Sequence, residues 1–159
     1  MRVEEIMSMD MATFSKNDSI SEASRRLSAR KSKCGLVTTS QGNLEGIVTE
    51  QDILGKCLSQ WHDPRLCQVS NHMNTNFVTV PFGADAGEAW EIMQNGKVET
   101  LPFLMGNKVV GLISLSDMES TFEKLSTKFF ESLNSYAGAQ GAAKKSAQAT
   151  KVRKASQAA

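Results

Sequence analysis

The sequence predicts an α+β fold made of two similar repeats. One repeat begins with Val3–Met7 and the other with Val69–Met73, an offset of 66 residues. In both, the same patterns follow in order: a strand, a capped helix, two β-rich runs joined by a turn, and the start of a second helix. Each repeat ends in a related heptad, GIVTEQD at 46–52 and GLISLSD at 111–117. The repeated order indicates a duplicated strand–helix–strand–strand–helix unit.

The composition is that of an ordinary globular protein. Of the 159 residues, 40% are apolar and 22% are charged, and the length suits one domain or two small halves that share a core. No run approaches the roughly 18 consecutive apolar residues that a membrane span requires. Residues 1–14 contain acids and lack the apolar centre of a secretory signal. We therefore expect a cytoplasmic protein without a membrane partner.

The first helix of each repeat is predicted from its cap and its apolar stripe. Ser19 with Glu22, and Asp85 with Glu88, have the three-residue spacing of a capping box. Apolar and small residues at helical spacing then predict the buried faces. These stripe residues are Ile20, Ala23 and Leu27 in the first repeat and Ala86, Ala89, Trp90 and Met93 in the second. Asn95–Gly96 is typical of the end of the second of these helices.

Two β-rich runs follow each of these helices. In the first repeat, residues 34–39 and 44–49 are joined by SQGN, which is a hairpin signal. In the second, residues 100–105 and 108–114 are joined through Gly106–Asn107. We expect a hairpin in each repeat, whose last strand leads directly into a helix within the heptad.

The segment that connects the repeats contains regularly spaced cysteines and histidines. We expect residues 55–70 to finish the helix that begins near Asp52, with a break at Asp63–Pro64. The side chains that recur there every five residues are Cys57, His62, Cys67 and His72. Zinc sites with these ligands normally pair them at spacings of about two to five residues, with a longer loop between the pairs. Strict five-residue spacing does not follow that pattern, so we expect no metal site and three reduced thiols in the chain.

Residues 121–136 are predicted to form an amphipathic terminal helix. Its apolar face continues from the end of the second repeat at spacings of four, three, four and four. The residues on this face are Met118, Phe122, Leu125, Phe129 and Leu133. One interpretation is that the face packs on the protein's own body. The other is a dimer contact, since the adjacent Phe129 and Phe130 widen the stripe.

Residues 137–159 form a basic, low-complexity tail for which we expect disorder. The tail holds five of the 18 basic residues and no acid, which leaves 13 basic against 17 acidic residues in 1–136. Such an arm could touch nucleic acid or an anionic surface, although no aromatic residue is interleaved for base stacking. The expected organisation therefore has four parts: a repeat at 1–66, a repeat at 67–120, the terminal helix at 121–136 and the tail at 137–159.

The heptads have a pattern with a physical rationale. Their glycine lets the backbone bend or approach a neighbour. The hydroxyl of Thr49 or Ser114 lies beside the amide groups of a helix N-terminus, which favour an anion such as phosphate. One turn later, the carboxylate of Asp52 or Asp117 can accept two hydrogen bonds from a vicinal diol such as ribose. The alternative is a helix N-cap with an acid in the first turn, but two copies at equivalent points favour a ligand site.

The order of motifs resembles a tandem pair of cystathionine-β-synthase (CBS) domains, a Bateman module, over about residues 1–120. The resemblance is carried by V-x-x-I-M, SISEA and GIVTEQD in the first repeat, and by V-x-x-H-M, GEAWEIM and GLISLSD in the second. It implies that the repeats pack with pseudo-twofold symmetry around two clefts and often assemble as homodimers. It also implies an adenosine ligand: AMP, ADP, ATP, S-adenosylmethionine or NAD(H).

The resemblance also implies roles for individual residues. Asp52 and Asp117 would bind ribose hydroxyls, and Thr49 and Ser114 would contact phosphate. The apolar residues implied to surround the adenine are Met7, Met73, Leu36, Leu101 and Pro102. The other heptad positions of the candidate nucleotide-binding set are Gly46, Ile47, Gln51, Gly111, Ile113 and Ser116.

Catalytic motifs are not recognisable in the sequence. The chain has two histidines, neither beside a serine or cysteine in a nucleophile motif, and it has no P-loop or GxGxxG. We therefore expect a stand-alone nucleotide sensor that passes its ligand state to a regulated protein, rather than an enzyme. The alternative is a structural or interaction protein with vestigial pockets that acts through the terminal helix and basic tail. A nucleic-acid binder that uses the tail is a third interpretation.

Overall fold

A computed structural model of the chain describes residues 1–134 and confirms the predicted α+β fold, with two three-stranded sheets. The strands are β1 (Ala12–Phe14), β2 (Cys34–Thr38), β3 (Leu44–Thr49), β4 (Val80–Pro81), β5 (Thr100–Met105) and β6 (Lys108–Ser114). The helices are α1 (Ile20–Arg30), α2 (Glu50–Lys56), α3 (Ala86–Gly96) and α4 (115–134). The predicted tail and residues 135–136 of the predicted terminal helix lie outside the described residues.

The two sheets have the same topology. β1 runs parallel to β2, which pairs antiparallel with β3, and β4, β5 and β6 repeat this order. Both hairpins form where the sequence predicts them. Gly42 and Gly106 adopt φ values of 85° and 63° in the two turns, a region that favours glycine.

The predicted helix caps are confirmed, but the predicted capping boxes of α1 and α3 are wrong. The Oγ of Ser19 accepts a hydrogen bond from the amide of Glu22 at 3.2 Å, and Asp85 accepts one from Gly87 at 2.8 Å. The carboxylate of Glu22 does not reach back to the cap; it pairs with the guanidinium groups of Arg25 and Arg26. A long cation three or four residues along the helix competes with the backbone for such a carboxylate.

The apolar stripes of α1 and α3 pack into two separate clusters, one beneath each sheet, with Trp90 half-buried at the edge of the second. Each cluster also contains a residue from the beginning of the other repeat. Val3 is buried with the β4–β6 sheet and Val69 with the β1–β3 sheet. Short 3-10 helices, Val3–Glu5 and Val69–Asn71, place these valines. We call residues 1–8 and 67–74 the leading segments; because they are exchanged, neither repeat completes its core alone.

The contacts of the chain divide it into two units at Met118 and Glu119, and both sheets lie in the first. The described part of the second unit is helical. Both interpretations of the apolar face of this helix stay predictions. Five apolar side chains on the helix are 41–63% exposed. They are Phe122, Leu125, Phe129, Phe130 and Leu133. Within residues 1–134, no helix combines the length and hydropathy needed to cross a bilayer.

Candidate functional site

The first heptad forms a strand-to-helix junction that is closed by a reciprocal cap. β3 ends at Thr49 and α2 begins at the next residue. The Oγ1 of Thr49 accepts a hydrogen bond from the amide of Asp52 at 3.2 Å and donates to Asp52 Oδ2 at 2.8 Å. The same Oδ2 accepts the amide of Thr49 at 3.0 Å. The heptad is therefore a capping box, with Asp52 in the place usually taken by glutamate.

The second heptad repeats this cap at the start of α4. The amide of Ser114 donates to Asp117 Oδ2 at 3.0 Å, and the amide of Asp117 donates to Ser114 Oγ at 3.2 Å. Ser114 Oγ also lies 2.9 Å from the hydroxyl of Ser116. The N-cap interpretation of both heptads is thus confirmed. A cap and a ligand site do not exclude each other, because the described cap bonds that reach the aspartate carboxylate go to its Oδ2 in both heptads.

The first backbone amides of α2 and α4 donate equivalent hydrogen bonds. The amide of Glu50 donates to the carbonyl of Lys33 at 3.0 Å, and that of Leu115 donates to Glu99 at 2.8 Å. The third helical amide in each case belongs to the cap. In the described first turns, the amide at the second helical position, Gln51 or Ser116, is therefore the one placed to meet an anion.

The heptad glycines permit a close approach between the repeats. A Cβ atom on Gly46 would lie 2.7 Å from Met73 Sδ and 3.1 Å from the carbonyl oxygen of Asn74. A Cβ atom on Gly111 would lie 2.6 Å from Met7 Sδ and 3.2 Å from the carbonyl oxygen at residue 8. Both distances to sulfur are shorter than real side chains show, so a side chain at either position would displace the methionine and press on the carbonyl oxygen. The candidate glycines and methionines meet crosswise, each glycine against the methionine of the other repeat.

Backbone hydrogen bonds secure this crossing. Ile47 and Asn74 exchange two, at 2.9 and 2.7 Å, and Ser8 and Leu112 exchange two, at 2.8 and 2.9 Å. Each leading segment thereby adds a short antiparallel bridge to the last strand of the opposite sheet. The structure thus forms two equivalent crossings, each between the heptad of one repeat and the leading segment of the other. We refer to the candidate ligand sites at these crossings as the first and the second cleft.

The apolar candidates separate into two groups. Leu36, Leu101 and Ile113 have fully buried side chains, and Pro102 is also buried, so these residues could reach a ligand only through their backbone. Met7 and Met73 are partly buried and lie at the crossings described above. Ile47 is half-buried.

Lys56 is a residue of the first cleft that the sequence analysis missed. Its Nζ lies 2.8 Å from Asp52 Oδ1, the carboxylate oxygen that the cap does not use. Burial raises the pKa of Asp52, but hydrogen bonds from Lys56 and Thr49 outweigh burial and lower it overall. Asp52 is therefore a charged, acceptor-only group at neutral pH. The four-residue spacing of Asp52 and Lys56 within α2 was the signal that could have identified this pair.

Cys34 is a second neighbour that sequence reasoning did not place. It lies opposite Thr49 in the β2–β3 ladder and is buried. Burial and the negative charge of Asp52 raise the pKa of its thiol to about 12. The thiol therefore stays protonated and unreactive beside the first heptad.

Two open cavities lie outside the heptads. One, of about 610 Å³, is at the opposite end of β2 and is lined by residues that include Lys16, Arg26 and Glu45. The other, of about 440 Å³, lies over the segment that connects the repeats and is lined by Lys56, Cys67 and His72 among others. Donor atoms of Cys57, Cys67 and His72 all lie within 4.8 Å of one another. The linear spacing of these residues predicted no such cluster.

Comparison with known sequences returns similar proteins for both repeats. A family model described as CBS domain matches residues 3–59 and again residues 69–122. The CBS domain-containing protein CBSCBSPB2 of Arabidopsis thaliana is 31% identical over 104 residues, which are 65% of this chain and 19% of that protein. The CBS domain-containing protein YhcV of Bacillus subtilis (strain 168) is 28% identical over 116 residues, or 73% of this chain and 81% of YhcV. The chain spans 17–31% of the length of its longer curated relatives.

Comparison with solved structures also returns proteins with CBS domains. A protein with CBS domains from Burkholderia ambifaria MC40-6 is similar with a TM-score of 0.70 and 25% sequence identity. The similarity covers 77% of this chain and 93% of that one, so it extends over both repeats.

Proposed function

The chain belongs to the CBS-domain family as a tandem pair of repeats, and from that premise we propose that it is a regulatory module that binds an adenosine nucleotide. The proposed ligands are AMP, ADP or ATP, with S-adenosylmethionine and NAD(H) as further members of the class. The proposed role is non-catalytic: the ligand changes the shape or association of the module and thereby modulates a partner protein. The ligand can do so only through a difference in its affinity for the two states.

The crosswise construction of the two clefts is the observation that carries this proposal. Each cleft combines a hydroxyl, a carboxylate and a glycine of one repeat with the methionine of the other. The proposed contacts are ribose hydroxyls donating to Asp52 or Asp117, and an adenine ring lying near Met73 or Met7. Since each cleft takes groups from both repeats, a ligand there would sense their relative position.

The proposed phosphate position is the first turn of α2 or α4. The hydroxyls of Thr49 and Ser114 and the second helical amides support an anion at this place. In the first cleft, the ammonium group of Lys56 adds a positive charge next to Asp52. This charge favours a phosphorylated ligand over a neutral nucleoside there.

Thermal melting of the full chain with AMP, ADP, ATP, S-adenosylmethionine and NADH tests the proposal. A ligand at about 100 times its Kd should stabilise the fold by about 2.7 kcal/mol. The double variant Asp52→Ala/Asp117→Ala should lose this ligand-induced shift. Ser19→Ala is the matched control, because it removes a helix cap away from both clefts and should keep the shift. No shift with any ligand, or a full shift in the double variant, would reject the proposal.

We further propose that the module is a homodimer that uses the exposed apolar face of α4. Phe129 and Phe130 are 62% and 63% exposed, which is unusual for two adjacent aromatic side chains. The variant Phe129→Glu/Phe130→Glu should convert a dimer into a monomer in sedimentation equilibrium. Lys128→Glu, on the same turn but outside the apolar face, should remain dimeric. A wild-type chain that is monomeric at every concentration would contradict this assembly.

The same exposed face favours a second candidate function, that of an interaction protein with vestigial pockets. In that case nucleotides would leave the melting temperature unchanged, while the Phe129 and Phe130 substitutions would abolish association. A role for the basic tail stays a prediction, since residues 137–159 lie outside the described residues. Salt-dependent binding of nucleic acid that disappears when 137–159 are deleted would support it.

A further inference from the structure

Three side chains that are 5 to 15 residues apart in the sequence lie close together in space. Cys57 follows the last residue of α2, Cys67 lies beyond the Asp63–Pro64 break, and His72 ends the short helix Val69–Asn71. The chain turns back between them at Trp61, which adopts a φ of 58°. This reversal places one donor atom of each side chain within 4.8 Å of the other two.

We propose that Cys57, Cys67 and His72 bind a divalent transition metal ion of the zinc class. Two thiolates and an imidazole are ligands that such an ion prefers, whereas Mg²⁺ and Ca²⁺ require oxygen ligands. The bond lengths typical of tetrahedral Zn²⁺ place its sulfur and nitrogen ligands about 3.5–3.8 Å apart. Donor atoms within 4.8 Å therefore reach this geometry by side-chain movements of about 1 Å.

The hydrogen bond of the histidine suits a metal ligand. His72 is 4% exposed, and its Nδ1 lies 3.1 Å from the carbonyl oxygen of Gln68. A carbonyl can only accept a hydrogen bond, so Nδ1 carries the proton and Nε2 keeps the lone pair that a metal needs. A backbone carbonyl on the other ring nitrogen is the usual partner of a metal-binding histidine.

The cysteines lie in ordered backbone that needs no rearrangement. Cys57 is fully buried, and its amide donates to Ile53 at 3.2 Å. Cys67 is partly exposed, and its amide donates to Asp63 at 3.1 Å. Its carbonyl in turn accepts the amide of Ile20, at the first residue of α1. The proposed ion would therefore join the end of α2 to a segment that is hydrogen-bonded to α1.

Two of the three proposed ligands, Cys67 and His72, line the cavity of about 440 Å³ over this segment, where a fourth ligand would have room. The cavity gives room for a water molecule, and the ring of His62 also lines it, 6.0 Å from that of His72 between centroids. Asp63, the carboxylate at the rim, is held by the guanidinium of Arg65 at 2.7 Å. The proposed site therefore has three protein ligands and a fourth position that is open to water or filled by His62.

The site adjoins the first cleft but does not depend on its ligand. Lys56 Nζ donates to the carbonyl of His72 at 3.3 Å, and Met73 lies against Gly46. An ion at the cluster would hold the second leading segment in place against the first heptad. Since metal binding adds to the free energy of folding, we expect the metal-bound protein to melt at a higher temperature.

Titration of the reduced, chelator-treated full chain with Co²⁺ tests the proposal. We expect one equivalent of Co²⁺ to give thiolate charge-transfer absorption, and Zn²⁺ to displace it and raise the melting temperature. Cys67→Ser and His72→Gln should each weaken Co²⁺ binding by more than about 100-fold, the upper end of the loss caused by removing an outer-shell partner. Cys67 is partly exposed, so its substitution tests binding without emptying the core.

Cys34→Ser is the matched control, since it removes the remaining thiol of the chain and should bind Co²⁺ like the wild type. Circular dichroism of each variant separates lost binding from lost folding. Absence of charge-transfer absorption in the folded wild type would overturn the proposal. Unchanged Co²⁺ affinity in Cys67→Ser and His72→Gln would also overturn it. The same holds for a protein that forms a Cys57–Cys67 disulfide and binds neither Co²⁺ nor Zn²⁺ when reduced.

Discussion

The two heptads share one cap but differ in charge one helical turn later. In the first repeat, Asp52 divides its carboxylate between the cap and Lys56. In the second, the position equivalent to Lys56 is Thr121, and Asp117 makes the same cap without a lysine four residues on. The cap and the close approach at the glycine are common to both repeats and join strand to helix, and repeat to repeat, in the same way. The lysine occurs once, so we expect the two clefts to differ in their preference for phosphate.

Removing each carboxylate singly should have the largest effect on ligand binding. Asp52→Asn and Asp117→Asn keep a side-chain oxygen for the cap but lose the charged acceptor. Hydrogen bonds to charged groups are worth about 1.5–3 kcal/mol, so each variant should weaken AMP binding in its own cleft by more than about tenfold. Isothermal titration calorimetry measures this. Wild-type affinity and stoichiometry in both variants would contradict a role for the carboxylates.

Alanine at the two heptad glycines should destabilise the fold about equally. Gly46→Ala and Gly111→Ala each force a Cβ atom against a methionine sulfur and a carbonyl oxygen of the other repeat. The sulfur can move but the backbone oxygen cannot, so we expect a loss of about 1–3 kcal/mol in urea unfolding. Gly55→Ala is the control: nothing lies within 4 Å of its new Cβ, and alanine is the better helix former. If Gly46→Ala has the same free energy of unfolding as Gly55→Ala, the contact between the heptad and the methionine is looser than described.

Removal of the cap hydroxyls should have a smaller effect, again similar in both repeats. Thr49→Ala and Ser114→Ala each leave one helical amide without its cap, which costs about 1 kcal/mol in the free energy of unfolding. The exchanges Thr49→Ser and Ser114→Thr keep the hydroxyl and should change stability little. A large loss in only one alanine variant would mean that the two caps are not equivalent.

Exchanging the residues that distinguish the heptads should give the smallest effect. Because the pKa of Asp52 is lowered in the folded state, its contribution to stability is present above its unfolded pKa and is lost as the pH falls through its folded pKa. Lys56 is half-exposed, so Lys56→Thr should cost only about 0.3–0.5 kcal/mol at pH 7. This difference should begin to decrease at about pH 4, the unfolded pKa of an aspartate, and vanish once the pH is below the lowered pKa of folded Asp52. Thr121→Lys should stabilise the second heptad by a similar amount. Urea unfolding at several pH values measures both effects, and a difference between Lys56→Thr and wild type that does not change with pH would contradict the ion pair.

Much of the fold could be predicted because its signals are local. The turns at Gly42 and Gly106, the buried stripe of α1 and the end of α3 at Gly96 depend on residues that are neighbours in the chain. The capping boxes were assigned to α1 and α3, whereas the structure forms them at α2 and α4. The spacing of a box is local, but in α1 the guanidinium groups of Arg25 and Arg26 compete with the N-cap for the carboxylate of Glu22.

The candidate site was predictable only in part. Thr49 and Asp52, three residues apart, make the local contact that their spacing indicates. The partner of each heptad glycine is a methionine that is distant in the sequence, 27 residues from Gly46 and 104 from Gly111, and no local pattern indicates which one it meets. The five-residue spacing of Cys57, Cys67 and His72 does not predict that they cluster. The chain reverses between the cysteines at Trp61, whose left-handed backbone conformation has no strong sequence signal.

The sequence by itself determined two CBS repeats, their strands and helices, and the polar groups of both heptads, since each depends on periodicity or on contacts within one turn. Tertiary structure decided which segments share a core. Val3 is buried with the second sheet and Val69 with the first, and this exchange builds the two clefts. Apolar burial is non-directional, so a valine pattern predicts that a segment is buried but not against which sheet. Backbone hydrogen bonds between residues distant in the sequence, such as those at Ser8–Leu112 and Ile47–Asn74, fix the partner of each segment.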